Sequence, residues 1–136
     1  MKLKNIIVVP AKYKNREDKI RELILTNVKY IFDYPDLTIS GIINQHMPTV
    51  KFLQPNHIDL NSNILIDCSC ESFKYEFAYP NKDNLIYPNK YIDKKPTQKN
   101  IYLIQGACKH IYALGRYIFS NKNKILEKMK GAKYYE

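Results

Sequence analysis

The chain has only three cysteines, no long apolar run and little arginine, and each shortage excludes a class of protein. An odd number of cysteines fits poorly with a disulfide framework, and reduced thiols remain available to bind metal. The longest apolar run, Ile6-Ile7-Val8-Val9, is closed by Pro10 and is too short for a membrane span or a signal-peptide core. We therefore expect a cytoplasmic or virion protein, not secreted by a signal peptide and without a membrane partner.

The positive charge of the chain is carried almost entirely by lysine. A net charge of +9 favours anionic partners such as nucleic acid or acidic protein surfaces. Only three of the 22 basic residues are arginine, whose planar guanidinium makes the bidentate contacts of base recognition, so sequence-specific readout is not supported. Lysine, asparagine, isoleucine and tyrosine together make up 62 of 136 residues. A genome rich in A and T would produce the same excess of lysine.

The length of 136 residues fits a single domain. Its apolar fraction of 45% and its twelve tyrosines indicate a folded chain rather than a disordered one. Within this domain, 1–136, we distinguish an N-terminal strand-helix-strand part at 1–58, a second part at 64–119 with an inserted loop at 80–100, and a C-terminal basic helix at 120–136.

Hydrophobic periodicity predicts the elements of the N-terminal part. Residues 3–9 are predicted to form a buried strand, and 16–33 a helix that ends before Pro35. Short strands are expected at about 37–43 and 49–54. The helix is predicted from apolar residues at helical spacing, namely Ile20, Leu23, Ile24, Val28 and Ile31.

In the second part, a strand at 64–68 leads into Cys68-Ser69-Cys70. Aromatic residues then alternate with other side chains from Phe73 to Tyr79, which predicts a second strand and places Cys-Ser-Cys at a hairpin bend. From Ala107 the period becomes helical, with a break near Ser120-Asn121 and a stop at Gly131. The expected fold class is α+β.

Every cysteine of the chain belongs to a set of four residues suited to a metal, which is Cys68, Cys70, Cys108 and His110. Zinc prefers four Cys or His ligands in a tetrahedron. The bend at Cys-Ser-Cys turns two thiolates to one side, and the start of a helix lets Cys108 and His110 converge, with the helix dipole favouring the thiolate. The prediction is one structural Zn²⁺ ion that staples a hairpin to a helix. His46 and His57, near prolines, are expected to be solvated loop histidines.

The pattern Cys-x-Cys, a spacer and Cys-x-His at the start of a helix resembles the SWIM-type zinc finger over residues 64–119. This resemblance implies the same four ligands, Cys68, Cys70, Cys108 and His110, in a small module of a hairpin and a helix that binds DNA or protein without catalysis. The spacer between the two ligand pairs, 71–107, is longer than the family normally carries. The loop at 80–100 is therefore expected to be an insertion.

Three classes of function differ in how well they fit such a module. The first is docking in a protein assembly, as a homo-oligomer or a subunit of a phage or viral virion, since tyrosine is enriched at interfaces. The alternative is nucleic-acid binding without sequence specificity. For binding to either partner, the candidate residues are Lys82, Lys90, Lys94, Lys95, Lys99, Tyr87, Tyr91, Lys122, Lys124 and Lys128.

The third function, catalysis, is not expected. Four protein ligands leave no position on a zinc ion open to water. Cys108 and His110 could not act as nucleophile and base either, because positions two residues apart on a helix diverge by about 200°, too far to share a hydrogen bond easily. The chain has no glycine-rich phosphate loop, His-Glu-x-x-His or Gly-x-Ser-x-Gly motif. We expect no enzyme activity and no small-molecule substrate.

Overall fold

The computed structural model describes residues 1–9, 15–78, 82–88 and 107–133, and these form an α+β fold around a four-stranded antiparallel sheet. The strands lie side by side in chain order. They are β1 (Thr26–Asp33), β2 (Asp36–Ile42), β3 (Thr49–Phe52) and β4 (Ile64–Asp67). The α-helices are α1 (Glu17–Arg21), α2 (Lys109–Ser120) and α3 (Lys122–Lys133).

One face of the sheet forms most of the core. Residues that lie opposite one another on neighbouring strands form rows across the sheet. One such row consists of Tyr30, Ile39, Val50 and Ile66. The three aliphatic members of this row are fully buried, and α2 packs against the same face. No helix in the described part of the chain is long and apolar enough to cross a bilayer.

The predicted strand at 3–9 is wrong. The structure instead has a short 3-10 helix at Leu3–Ile6, in which Leu3 and Ile6 are fully buried at a spacing of three residues. This helix packs against α2, and its approach is close because Gly115 has no side chain. A Cβ atom at Gly115 would lie 2.7 Å from the carbonyl oxygen of Ile6.

The predicted helix at 16–33 is also wrong beyond its first turn. Residues Glu17–Arg21 form α1, whereas Thr26–Asp33 form the edge strand β1. The apolar residues of this stretch also contain a period of two, in Val28, Tyr30 and Phe32, and these side chains pack against the core. Ile24 and Ile31, which the helix would have buried, are 76% and 57% exposed.

The predicted strand after Cys-Ser-Cys is wrong for a related reason. Residues Phe73–Phe77 form a π-helical turn in which Phe73 and Phe77 are both fully buried. Positions four residues apart share a face in a strand and in a helical turn, so the aromatic alternation did not distinguish the two structures. The expected hairpin is therefore absent from residues 64–78. Tyr79 lies outside the described residues.

The strand predictions near 37–43, 49–54 and 64–68 are confirmed by β2, β3 and β4. The helical pair after Ala107 is confirmed as well, with the break at Asn121. Gly131 does not stop the last helix, which continues to Lys133. Most of the loop at 80–100 lies outside the described residues, although 82–88 include a 3-10 turn at Lys82–Asn84.

Candidate metal centre

The four predicted ligands meet in one buried cluster. The ligand atoms of Cys68, Cys70, Cys108 and His110 all lie within 4.8 Å of one another. None of these residues is more than 4% exposed. Zinc–sulfur bonds of about 2.3 Å and zinc–nitrogen bonds of about 2.0 Å place tetrahedral ligand atoms about 3.5–3.8 Å apart. Even a separation of 4.8 Å would therefore need to shorten by only about 1 Å around an ion. The cluster could hold one metal ion.

Two parts of the fold bring these ligands together. Cys68 follows the last residue of β4, and Cys70 precedes the π-helical turn. Cys108 is the extended N-cap residue of α2, and His110 lies in the first turn of that helix. The Sγ atom of Cys68 lies 3.9 Å from Nδ1 of His110. Nδ1 is thus the imidazole nitrogen that faces the thiols.

The three buried thiols shift one another's pKa values. Burial raises the pKa of the Cys108 thiol well above its ordinary value. Hydrogen bonds, first from Cys108 and then from Cys68, hold the pKa of Cys70 below its ordinary value. The backbone N–H of Phe73 also donates to the Sγ atom of Cys70, at 3.4 Å. Three thiolates in this buried space would repel one another, and a bound divalent cation would compensate their charge.

A turn that the sequence analysis did not connect with the site lies against it. Ile43 and His46 exchange two backbone hydrogen bonds, each 2.9 Å long, around Asn44 and Gln45, which both have positive φ. The His46 ring contacts the ring of His110, with 4.9 Å between the centroids. His46 is only partly exposed, so its prediction as a solvated loop histidine is wrong.

This turn also forms a hydrogen bond with Ser69, which lies between Cys68 and Cys70. The backbone N–H of Met47 donates to Oγ of Ser69, at 2.9 Å. No pattern in the sequence links residues 43–47 to the cysteines, because the contact depends on how β2 and β3 align with β4. His57, by contrast, is 70% exposed and pairs with Asp59 at 2.7 Å. It is the solvated histidine that the sequence predicted.

The candidate binding residues are only partly described. Lys82, Lys124 and Tyr87 are exposed. The Nζ atoms of Lys122 and Lys128 lie over the rings of Phe119 and Tyr30, at 4.4 and 4.7 Å from the ring centroids. Lys90, Lys94, Lys95, Lys99 and Tyr91 lie outside the described residues.

In comparisons with known proteins, no family model, no curated protein and no solved structure matches this chain.

Proposed function

We propose that this chain is a zinc-stabilised, non-catalytic docking module that serves as a structural subunit of a larger protein assembly. The observation that supports this proposal most directly is the buried set of three cysteine sulfurs and one histidine nitrogen within 4.8 Å. Three Cys and one His form a common ligand set of structural zinc sites, and thiolate-rich sets favour zinc over hard cations such as Mg²⁺ or Ca²⁺.

The zinc role is structural. Four protein ligands complete a tetrahedron and leave no position for a reacting water molecule. The ion would join residues 68–70, at the end of the sheet, to residues 108–110, at the start of α2. In small zinc modules the free energy of metal binding is about 10 kcal/mol and is coupled to folding, so the ion would stabilise the folded chain.

The order of the proposed ligands resembles that of the SWIM-type finger, but the element that follows the first ligand pair differs from the one in that family. The chain forms a π-helical turn there instead of the second strand of a hairpin. We therefore propose a zinc-stapled fold with SWIM-like ligand order, without the hairpin.

Docking is supported by apolar side chains that the described fold leaves exposed. Ile24, Ile31, Tyr34 and Met47 are each more than half exposed. Nucleic-acid binding through the C-terminal lysines has less support, because Lys122 and Lys128 direct their ammonium groups onto aromatic rings of the same chain.

Native mass spectrometry with and without a zinc chelator tests the proposal. The wild-type chain should carry one zinc ion, and the His110→Ala variant should bind zinc at least tenfold more weakly. His57→Ala is the matched control, because it removes an exposed histidine, and it should keep its zinc. A folded wild-type chain that carries no zinc in zinc-containing buffer would overturn the zinc role. The same spectra report whether the chain associates with itself, which is one form of docking.

A further inference from the structure

The free edge of the sheet is β1, and its residues are complementary to those of a second, antiparallel copy of β1. β1 pairs with β2 on one side only, and no strand in the described ranges lies along its other side. Edge strands with unpaired backbone groups are templates for another strand. A bulge between Thr26 and Lys29 interrupts the ladder, but Lys29–Asp33 pair with β2 without a break. This regular segment is the part of β1 available for pairing.

The direction of the backbone groups follows from the ladder. The N–H of Gly41 donates to the carbonyl of Pro48, so the odd-numbered residues of β2 direct their backbone groups towards β3 and the even-numbered ones towards β1. Lys29, Ile31 and Asp33 of β1 lie opposite Ser40, Thr38 and Asp36. These three residues therefore use their backbone groups to bind β2. Tyr30 and Phe32, between them, direct theirs towards the free edge.

We propose that two copies of this chain pair through β1 as antiparallel strands about a two-fold axis at Ile31. This register sets Tyr30 opposite Phe32 of the second copy, so that the edge-directed backbone groups of these residues bond to each other. It also sets Lys29 opposite Asp33, twice by symmetry. Opposite charges and aromatic pairs across strands are each stabilising. The inference gives the proposed docking function a surface and a partner, and it rests on that function.

The exposure of the side chains agrees with this pairing. Lys29 and Asp33 are exposed, Ile31 is 57% exposed, and Tyr30 and Phe32 are half-buried. Pairing would cover Ile31 with its own symmetry copy and place an oppositely charged pair on each side of it. The two sheets would join into one of eight strands, with the helices of both copies on the same face. A register shifted by two residues would lose both charge pairs.

Sedimentation of the zinc-loaded chain over a concentration series tests the proposal by charge exchange. Lys29→Glu and Asp33→Lys each place like charges opposite one another, and each should weaken the dimer at least tenfold. The double variant Lys29→Glu/Asp33→Lys should restore it. An equimolar mixture of the two single variants should form a heterodimer. Lys4→Glu and Asp18→Lys, with the same charge changes at exposed sites outside β1, should leave the dimer unchanged.

A crosslink tests the register independently of charge. Ile31→Cys places a thiol on the two-fold axis, where opposed residues lie close enough for a disulfide, and mild oxidation should crosslink it. Ile24→Cys is a matched exposed control outside β1 and should not crosslink. A zinc-loaded chain that stays monomeric, or a dimer that the charge exchanges do not affect, overturns the β1 pairing while the zinc role stands. A chain that pairs through β1 without binding zinc overturns the zinc role alone.

Discussion

The imidazole rings of His46 and His110 lie with their centroids 4.9 Å apart and their planes inclined by 40°. His110 supplies the only nitrogen of the proposed ligand set, and His46 comes from the turn between β2 and β3. A ring packed at this distance limits the orientations open to the His110 imidazole, which is only 4% exposed. We therefore expect His46 to act as a positioning residue for the proposed metal site, and its contribution should appear in the metal affinity.

Replacing His46 with alanine should weaken zinc binding by about tenfold, since partners that orient a ligand typically contribute 10- to 100-fold to affinity. Phenylalanine at this position should retain most of the affinity, because it keeps a ring against His110. Competition with a chromophoric chelator measures both variants. The cobalt-substituted protein should show the same thiolate absorption in all three forms, because His46 is not a ligand. Equal affinity of the alanine variant and the wild type would contradict the positioning role.

Removing the metal should lower the melting temperature of the chain. An ion that binds only the folded state stabilises it by about 4 kcal/mol at a free concentration a thousandfold above its Kd. For a chain of this size that energy corresponds to about 15 °C. Differential scanning calorimetry before and after chelation checks the shift, and added zinc should reverse it. In His110→Ala, the chelator should have almost no effect.

The ion pair between Glu17 and Arg116 should make stability fall in mild acid. The guanidinium of Arg116 donates to both carboxylate oxygens of Glu17 and to the carbonyl oxygen of Ile7, which joins α2 to α1 and to the N-terminal segment. The hydrogen bond from Arg116 is the largest cause that lowers the pKa of Glu17 below its ordinary value of 4.5. A carboxylate with a lowered pKa contributes stability above its unfolded-state pKa and loses it as the pH falls through the folded-state pKa.

The melting temperature of the wild type should therefore exceed that of Glu17→Gln by a constant margin at neutral pH, and this margin should shrink as the pH falls below 4.5 and through the lowered folded-state pKa. Both proteins have the same cysteines, so protonation of the thiols affects both melting temperatures equally and drops out of the difference between them. A margin that does not change with pH would show that the carboxylate charge of Glu17 does not contribute.

Two glycines of the helices should respond oppositely to alanine. At Gly115 the new Cβ would meet the Ile6 carbonyl oxygen at 2.7 Å, and Gly115→Ala should destabilise the chain by about 1–3 kcal/mol. At Gly131, in α3, no atom lies within 4 Å of the new Cβ. Gly131→Ala should stabilise the chain by up to about 1 kcal/mol, because alanine favours helix. Urea denaturation measures both variants. Similar losses at both sites would contradict the close approach of the 3-10 helix to Gly115.

The local predictions succeeded where one periodicity stood alone. β2, β3 and β4 are flanked by turn-forming residues, and α2 has Ile111, Leu114 and Ile118 at helical spacing, all fully buried. They failed where two periodicities overlapped. Val28, Tyr30 and Phe32 lie in a strand rather than the predicted helix, because in the strand their side chains pack against the core from the edge of the sheet.

The sequence by itself determined the candidate ligand set, since Cys68, Cys70, Cys108 and His110 were identifiable from residue type, spacing and the helix that starts at Lys109. Only the tertiary structure decided how residues 16–33 and 73–77 fold, and that His46 lies against the site. The physical reason is that ligand chemistry belongs to individual side chains, whereas strand, helix and ring contacts here depend on which face is buried against elements far away in the chain.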